Sequence, residues 1–101
     1  MNGPYEIRYL STAERDLIDI LEYIKKDNPT AANSQLKKFD KAISQLASNP
    51  LLGIIPKDER LKKLGYRMLI VNKHLVFYVV KTEYVQIRRI IHGARRYSFL
   101  L

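Results

Sequence analysis

The sequence predicts an α+β fold in a single domain, residues 1–101, with the element order β-α-α-β-β-β. Two observations predict it. After a short alternating segment, the first half carries two stretches whose apolar residues recur every three or four positions, the period of an amphipathic helix. The second half carries three short strand-like runs separated by brief connections, which is typical of antiparallel hairpins. A chain of this length can build one core of two layers, so we expect one functional site.

The first strand and the first helix follow each other directly. Tyrosine and isoleucine alternate with charged residues over 5–10, which indicates a half-buried strand. The sequence STAE then favours a helix start at Ser11, because a serine three residues before Glu14 fits a capping box. The apolar stripe of this helix runs to Ile24. Four charged residues on its polar side are predicted to face the solvent: Arg15, Asp16, Asp19 and Glu22.

A second helix is predicted to begin at Pro29, because proline suits the first turn of a helix and disfavours helical geometry at Asn28. Its apolar stripe ends before Asn49-Pro50, which we predict to stop the helix. So short a connection between two helices indicates an antiparallel helical hairpin. Residues 51–65 combine glycine, proline and mixed charges without a sustained period, so we interpret them as a loop.

Three strands are predicted at 66–71, 75–80 and 84–91, joined as an antiparallel meander. Strict alternation divides the last strand between two faces: Val85, Ile87, Arg89 and Ile91 on one, and Tyr84, Gln86, Arg88 and Ile90 on the other. We expect the helical hairpin to cover one face of the antiparallel sheet, because both helical stripes need an apolar partner. The other face is then expected to be partly open.

The positive charge is concentrated in the second half of the chain. Residues 1–56 carry seven basic and seven acidic side chains, whereas 57–101 carry eleven basic and three acidic ones, which accounts for the formal net charge of +8. The excess of positive charge in this half attracts an anionic partner, either nucleic acid or an acidic protein, and salt weakens the attraction. We therefore expect a partner of that kind, rather than a charge that serves solubility alone.

The composition argues against several classes of site. The chain has no cysteine, which excludes disulfides, thiolate metal sites and a cysteine nucleophile. Its two histidines, His74 and His92, lie in different segments, and there is no glycine-rich phosphate loop, so we expect neither a metal nor a cofactor. The longest apolar run, 75–80, is too short to cross a membrane, and the first residues lack the pattern of a signal peptide. We expect a cytoplasmic protein without a membrane partner.

Four segments stand out over nearly the whole chain: AERDLIDILEYIKKDNPTAA, LASNPLLG, GYRMLIVNKHLVFYVV and IRRIIHGARRY. Together they resemble the RelE/ParE superfamily, the toxins of bacterial type II toxin–antitoxin modules. The strand motifs are the specific part, since amphipathic helices occur in many α+β domains. The resemblance implies a cognate antitoxin that wraps the helical hairpin and the sheet, and the net charge favours an acidic one.

The superfamily holds two activities, and the resemblance is closer to the ParE branch. RelE-like members cleave messenger RNA on the ribosome, whereas ParE-like members poison DNA gyrase. The long helical hairpin and the HisGlyAlaArg ending are similar to ParE-like toxins. RelE-like nucleases carry an arginine in the third strand, where this chain has Leu75, and paired lysines in the second strand, which are reduced here to Arg67 and Leu69.

The resemblance therefore implies a toxin that inhibits growth by binding and poisoning DNA gyrase, without bond chemistry of its own. Two alternatives stay open. One is a metal-independent endoribonuclease that acts on messenger RNA at the ribosome. The other is a non-toxic relative that only binds its antitoxin.

The candidate site residues lie in the second half of the chain. As target-binding residues we predict Arg67, Arg95, Arg96 and Tyr97. Metal-free RNA cleavage needs a base, a cation beside the phosphorane and an acid. A nuclease would take these groups from Arg67, His92, Arg95 and Tyr97.

Two of these residues also have structural interpretations. In the structural interpretation, which we favour, His92 ends a strand by bonding a backbone carbonyl, and Gly93 serves a turn that needs positive φ. Arg67 has the alternative of an ion pair with Asp58 or Glu59. After the arginine pair, the end of the chain is expected to pack against the domain through Phe99, Leu100 and Leu101.

Overall fold

The computed structural model describes residues 4–101. The first three residues of the predicted domain, which belong to the segment judged to lack a signal-peptide pattern, lie outside the described range. Its elements are β1 (Glu6–Tyr9), α1 (Ser11–Asp27), α2 (Pro29–Ser44), α3 (Glu59–Lys63), β2 (Tyr66–Val71), β3 (His74–Val80) and β4 (Tyr84–His92), with 3-10 turns at Gln45–Ala47 and Tyr97–Phe99. The predicted α+β class is confirmed. None of the helices in the described range is long and apolar enough to span a membrane.

The four strands form one sheet in the order β1-β4-β3-β2. β2, β3 and β4 are the predicted antiparallel meander. β1, however, lies parallel to β4, with Glu6 opposite Tyr84 and Tyr9 opposite Ile87, so the sheet is mixed rather than antiparallel throughout. A parallel pair needs a long connection between its strands. The helical hairpin and the first two strands of the meander supply that connection.

The predicted capping box at Ser11 is wrong. Leu10 is the N-cap residue, no side chain caps the helix, and the N–H groups of Ala13 and Glu14 both bond the Leu10 carbonyl. Ser11 therefore lies inside the helix. The N–H of Leu10 donates to the Ile87 carbonyl at 2.9 Å. The chain is therefore still hydrogen-bonded to β4 at Leu10, directly before the first residue of α1.

The helical hairpin is confirmed, and Asn28 alone joins its two helices. The Asn28 side chain accepts a hydrogen bond of 3.0 Å from the Ala31 N–H, and Pro29 occupies the first turn of α2 as predicted. The hairpin packs on one face of the sheet and forms the main core. Its buried members are Ala13, Phe39, Ile43, Leu46, Leu69, Val71, Val76, Tyr78, Val85, Ile87 and Ile90.

Residues 51–65 are not entirely loop, because they include α3. The Asp58 side chain caps this short helix by accepting a hydrogen bond of 3.1 Å from the Leu61 N–H, and Leu61 is fully buried. Gly65 follows the helix with a φ of +83°, a left-handed conformation that glycine adopts at no steric cost. A five-residue helix with a single apolar residue has too little periodicity to be predicted from sequence.

A β-bulge in β4 changes the predicted division of its side chains. The adjacent residues Phe77 and Tyr78 of β3 lie opposite Arg89 and Ile87, so Arg88 is an extra residue without a partner in β3. The alternation shifts at that point. The residues that β4 contributes to the main core are Val85, Ile87 and Ile90. The prediction of strict alternation through the whole strand is therefore wrong.

The second face of the sheet, predicted to be partly open, carries a smaller core. α3 and the end of the chain pack on it. The participating residues are Leu61, Tyr66, Met68, Leu75, Phe77, Val79, Ile91, Tyr97, Leu100 and Leu101. Phe99, predicted to join this packing, is instead 79% exposed. The end of the chain thus packs on this face of the sheet through the ring of Tyr97 and the side chains of Leu100 and Leu101.

Candidate functional site

The C-terminal tail, residues 95–101, presents two of the predicted site residues to solvent. The Arg95 N–H bonds the His92 carbonyl at 3.0 Å, which forms the turn out of β4. The side chains of Arg95 and Arg96 are exposed, and within the described chain they make no ion pair. The Arg96 guanidinium lies 5.9 Å from the centroid of the Phe99 ring. Both guanidinium groups can therefore bind an anionic or acidic surface.

Tyr97 joins these arginines to the sheet. Its ring packs against Phe77, with 5.0 Å between the ring centroids, so the tail has a fixed starting point on the second face. A shallow pocket of about 400 Å³, which we call the tail pocket, lies at this place. It is lined by Asp58, Arg95, Arg96, Tyr97, Ser98 and Phe99. The pocket combines two exposed cations with an anchored aromatic ring.

Arg67 lies elsewhere, where β2 meets the loop before α3. Its guanidinium donates to the Gly53 carbonyl at 2.8 Å and to the Leu51 carbonyl at 3.3 Å. The alternative of an ion pair is wrong, because Asp58 and Glu59 both bond within α3. The contacts of Arg67 fasten the loop to the sheet. Its part in target binding stays a prediction.

Tyr78 completes the attachment of this loop. Its side chain is fully buried, and the hydroxyl donates to the Pro50 carbonyl and accepts from the Gly53 N–H, each at 2.8 Å. Burial raises the pKa of Tyr78, so the phenol stays protonated and can donate. A β-carbon at Gly53 would lie 2.6 Å from the hydroxyl oxygen, which explains the glycine. Residues of the motifs LASNPLLG, GYR and VFY thus meet in one structural contact.

Tyr78→Phe is expected to lower the free energy of unfolding by about 1–3 kcal/mol, because it leaves the buried Gly53 N–H without a partner. Urea unfolding of the purified protein measures the change. Tyr23→Phe is the matched control, since that side chain is 73% exposed and its loss of a hydroxyl should be neutral. Equal stability of the two variants would contradict the role given to the Tyr78 hydroxyl.

The ring of His92 bonds a backbone N–H at the end of β4, rather than the backbone carbonyl that was predicted. Its Nδ1 accepts a hydrogen bond of 3.1 Å from the Ala94 N–H, which leaves Nε2 to carry the proton of the neutral ring. The positive φ predicted for Gly93 is wrong. The Gly93 N–H donates to the Lys73 carbonyl at 2.7 Å, and a β-carbon would lie 3.2 Å from that oxygen. Close approach to the β2–β3 turn, rather than backbone conformation, explains this glycine.

The two histidines, which the sequence separates, are neighbours in the fold. His74 lies opposite His92 in the β3–β4 register, with 5.3 Å between the ring centroids. Burial, and to a smaller degree the ring of His92, lowers the pKa of His74, so His74 is neutral at neutral pH. The pair lines a groove of about 820 Å³ beside the helical hairpin. Within residues 4–101, no group of three acidic, histidine or cysteine side chains could hold a metal ion.

The residues predicted for a nuclease are not assembled at one place. His92 lines the groove beside the helical hairpin, whereas Tyr97 packs on the opposite face of the sheet. Arg67 is bonded to the loop before α3. A base, a cation and an acid must all reach the reacting phosphate. Arg95 and Tyr97 line the tail pocket together, but His92 lies in the groove on the other face of the sheet.

One contact that joins helix, sheet and tail was not predicted from the sequence. Asp16, predicted to face the solvent, accepts hydrogen bonds from Arg89 Nε at 2.7 Å, from Arg89 Nη2 at 3.0 Å and from the Ile90 N–H at 2.9 Å. The Asp16 and Arg89 side chains are only 15% and 25% exposed. The hydrogen bonds to Asp16 raise the pKa of Arg89. Arg89 also donates to the Leu100 carbonyl at 3.1 Å, which brings the tail into the same network.

Comparison with known proteins gives a consistent result. The family model for the ParE toxin of the type II toxin–antitoxin system, parDE, matches residues 7–97. No curated protein sequence matches the chain.

Three solved structures illustrate the similarity of the fold. The chromosomal ParDE system from P. aeruginosa has a TM-score of 0.74 at 19% identity, covering 90% of this chain and 98% of that one. The RelBE2 toxin–antitoxin complex from Mycobacterium tuberculosis has 0.59 at 25% identity, with 88% and 98% covered. The YoeB dimer from Staphylococcus aureus has 0.63 at 18% identity, with 89% and 98% covered.

The mixed four-stranded sheet under a helical hairpin places the chain in the fold class of these solved toxin–antitoxin structures. Within that class, the match over residues 7–97 shows that the chain belongs to the ParE toxin family of type II toxin–antitoxin systems. The contacts of Pro50, Gly53, Arg67 and Tyr78 give a physical reason for part of the motifs LASNPLLG and GYRMLIVNKHLVFYVV.

Proposed function

We propose that this toxin inhibits growth by binding DNA gyrase and poisoning it, with Arg95, Arg96 and Tyr97 in the contact surface. The observation that carries the proposal is the tail, where two exposed guanidinium groups stand beside an aromatic ring anchored on Phe77. Arginine and tyrosine are among the residue types that most often dominate protein interfaces. Membership of the ParE family supports the same assignment.

The alternative activity, cleavage of messenger RNA, is less well supported by the geometry. The predicted base, His92, lies on a different face of the sheet from Arg95 and Tyr97, and its Nδ1 already accepts a hydrogen bond from the Ala94 N–H. A surface that acts by contact needs no such convergence. It needs exposed groups in a fixed arrangement, and the tail supplies them.

Expression in bacteria with pulse labelling of DNA, RNA and protein tests the proposal. Gyrase poisoning is expected to stop DNA synthesis first and to induce the SOS response. Translation that stops first, with cuts in translated messages, would contradict the proposal in favour of a ribosome-dependent nuclease. Normal labelling of all three would contradict it in favour of a relative that only binds its antitoxin.

We also propose that an acidic antitoxin holds the toxin inactive. The solved structures that resemble this chain include toxin–antitoxin systems from P. aeruginosa and M. tuberculosis. The net charge of +8, concentrated in 57–101, favours an acidic partner and steers it by long-range attraction.

The affinity for the antitoxin is expected to fall by about tenfold or more between low and high ionic strength, because salt screens attraction between opposite charges. Isothermal titration calorimetry with the cognate antitoxin over a series of sodium chloride concentrations measures the change. An affinity that does not depend on salt would contradict the role given to the charge distribution.

A further inference from the structure

Two arginines hold the tail to the domain by bonding its backbone. Arg60 in α3 donates through Nη2 to the Ser98 carbonyl at 2.8 Å and through Nη1 to the backbone oxygen of Leu101 at 3.2 Å. Arg89 in β4 donates to the Leu100 carbonyl at 3.1 Å. The tail is therefore fastened by guanidinium groups from two different elements, in addition to its apolar contacts.

Arg60 is well placed to orient the tail. The donors of a guanidinium form a rigid planar fork, so one side chain that bonds two backbone oxygens constrains both the position and the rotation of the segment between them. α3 also reaches the tail pocket, because its cap residue Asp58 lines that pocket together with Arg95 and Arg96. α3, which holds the tail through Arg60, is thus adjacent to the exposed surface formed by Arg95 and Arg96.

We propose that Arg60 is a positioning residue for target recognition, which fixes the tail in the orientation that presents Arg95 and Arg96 and makes no contact with the target itself. The proposal rests on the proposed function in one respect, namely that the tail is the contact surface. A contact surface that is ordered before binding loses less conformational entropy in the complex. Loosening the tail therefore weakens target binding without removing any group that touches the target.

The role of Arg60 can be tested without unfolding the protein. Its side chain is exposed, and the burial of α3 depends on Leu61, which is fully buried. Substitutions of exposed side chains usually have little effect on global stability. The thermal midpoint of an Arg60 variant is accordingly expected to match that of the wild type.

The test compares Arg60→Ala with Lys63→Ala, which removes the same charge from an exposed position of the same helix. Hydrogen exchange at the Phe99 and Leu100 amides, which bond within the tail, reports its order. Arg60→Ala is expected to speed this exchange and to weaken inhibition of purified gyrase by about tenfold, since target binding must then order the tail. Lys63→Ala is expected to change neither. Arg60→Lys, which keeps the charge but loses the fork, is expected to resemble Arg60→Ala.

Unchanged exchange in Arg60→Ala would overturn the proposal, because the tail would then be held without this residue. Faster exchange with full inhibitory activity would also overturn it, because the order of the tail would not matter for recognition. Growth inhibition by the same variants is measured in parallel and does not depend on which target is correct. A wild-type chain that stops growth but leaves gyrase unaffected would refute the gyrase assignment alone, and the growth assay would then decide the role of Arg60.

Discussion

Arg95→Ala combined with Arg96→Ala is expected to remove most of the toxicity of the chain without unfolding it. Both side chains are exposed, so the core is untouched, whereas a charge lost from an interface costs about 2–5 kcal/mol when its partner is left buried and unpaired. The double variant should therefore fail to bind its target. Growth on induced expression, with capture of gyrase by the purified protein, measures both effects.

Two controls make this result specific. Lys37→Ala with Lys38→Ala removes an adjacent pair of cations from α2, away from the tail, and should leave toxicity intact. His92→Ala should have a smaller effect than the arginine changes, because the hydrogen bond that its ring accepts is local, from the Ala94 N–H in the turn after β4. Loss of toxicity in a folded His92→Ala protein, together with cuts in translated messages, would contradict the ParE-like function.

Asp16→Ala is expected to destabilise the fold more than Tyr78→Phe does. It removes three hydrogen bonds and leaves the Arg89 guanidinium without its counter-ion. The expected loss is about 3 kcal/mol, the lower end of the range for breaking a buried ion pair, because a quarter of the Arg89 side chain stays exposed. For a domain of this size that loss lowers the melting temperature by more than about 10 °C. Calorimetry of the purified protein measures it.

Asp19→Ala is the matched control for this experiment. Asp19 lies about one turn further along α1 and is exposed, so removal of its carboxylate should change the melting temperature little. Equal effects of the two substitutions would contradict the role given to the Asp16–Arg89 pair.

The parts of the fold that depend on local sequence could be predicted. The helical hairpin follows from two apolar stripes and from Pro29, whose effect on the neighbouring backbone needs no distant contact. The meander follows from three short runs. The exposed arginine pair was also predictable, since consecutive arginines after a strand end have few ways to be buried.

The remaining features depend on contacts between distant segments. Helical periodicity places Asp16 on the solvent side of α1 because it takes no account of what lies beside a helix. β1 ends at Tyr9, so the edge of β4 beyond Ile87 is left to α1, and the Asp16 carboxylate bonds the Ile90 N–H there. The bulge at Arg88 has the same origin, because it is defined by register against β3 and has no signature in the strand itself.

The proximity of the two histidines, by contrast, did have a signal in the sequence. His74 directly follows the turn between β2 and β3, and His92 ends the strand that pairs with β3. An antiparallel β3–β4 hairpin brings the start of one strand beside the end of the other. Separation along the chain therefore does not make the two side chains remote in space.

The most direct measurement of gyrase poisoning uses purified DNA gyrase with the purified wild-type chain. We expect inhibition of supercoiling with accumulation of cleaved DNA in gyrase complexes, and loss of both effects in the Arg95→Ala, Arg96→Ala protein. Unaffected gyrase activity, together with cleavage of messenger RNA on ribosomes by the same preparation, would contradict the proposed function.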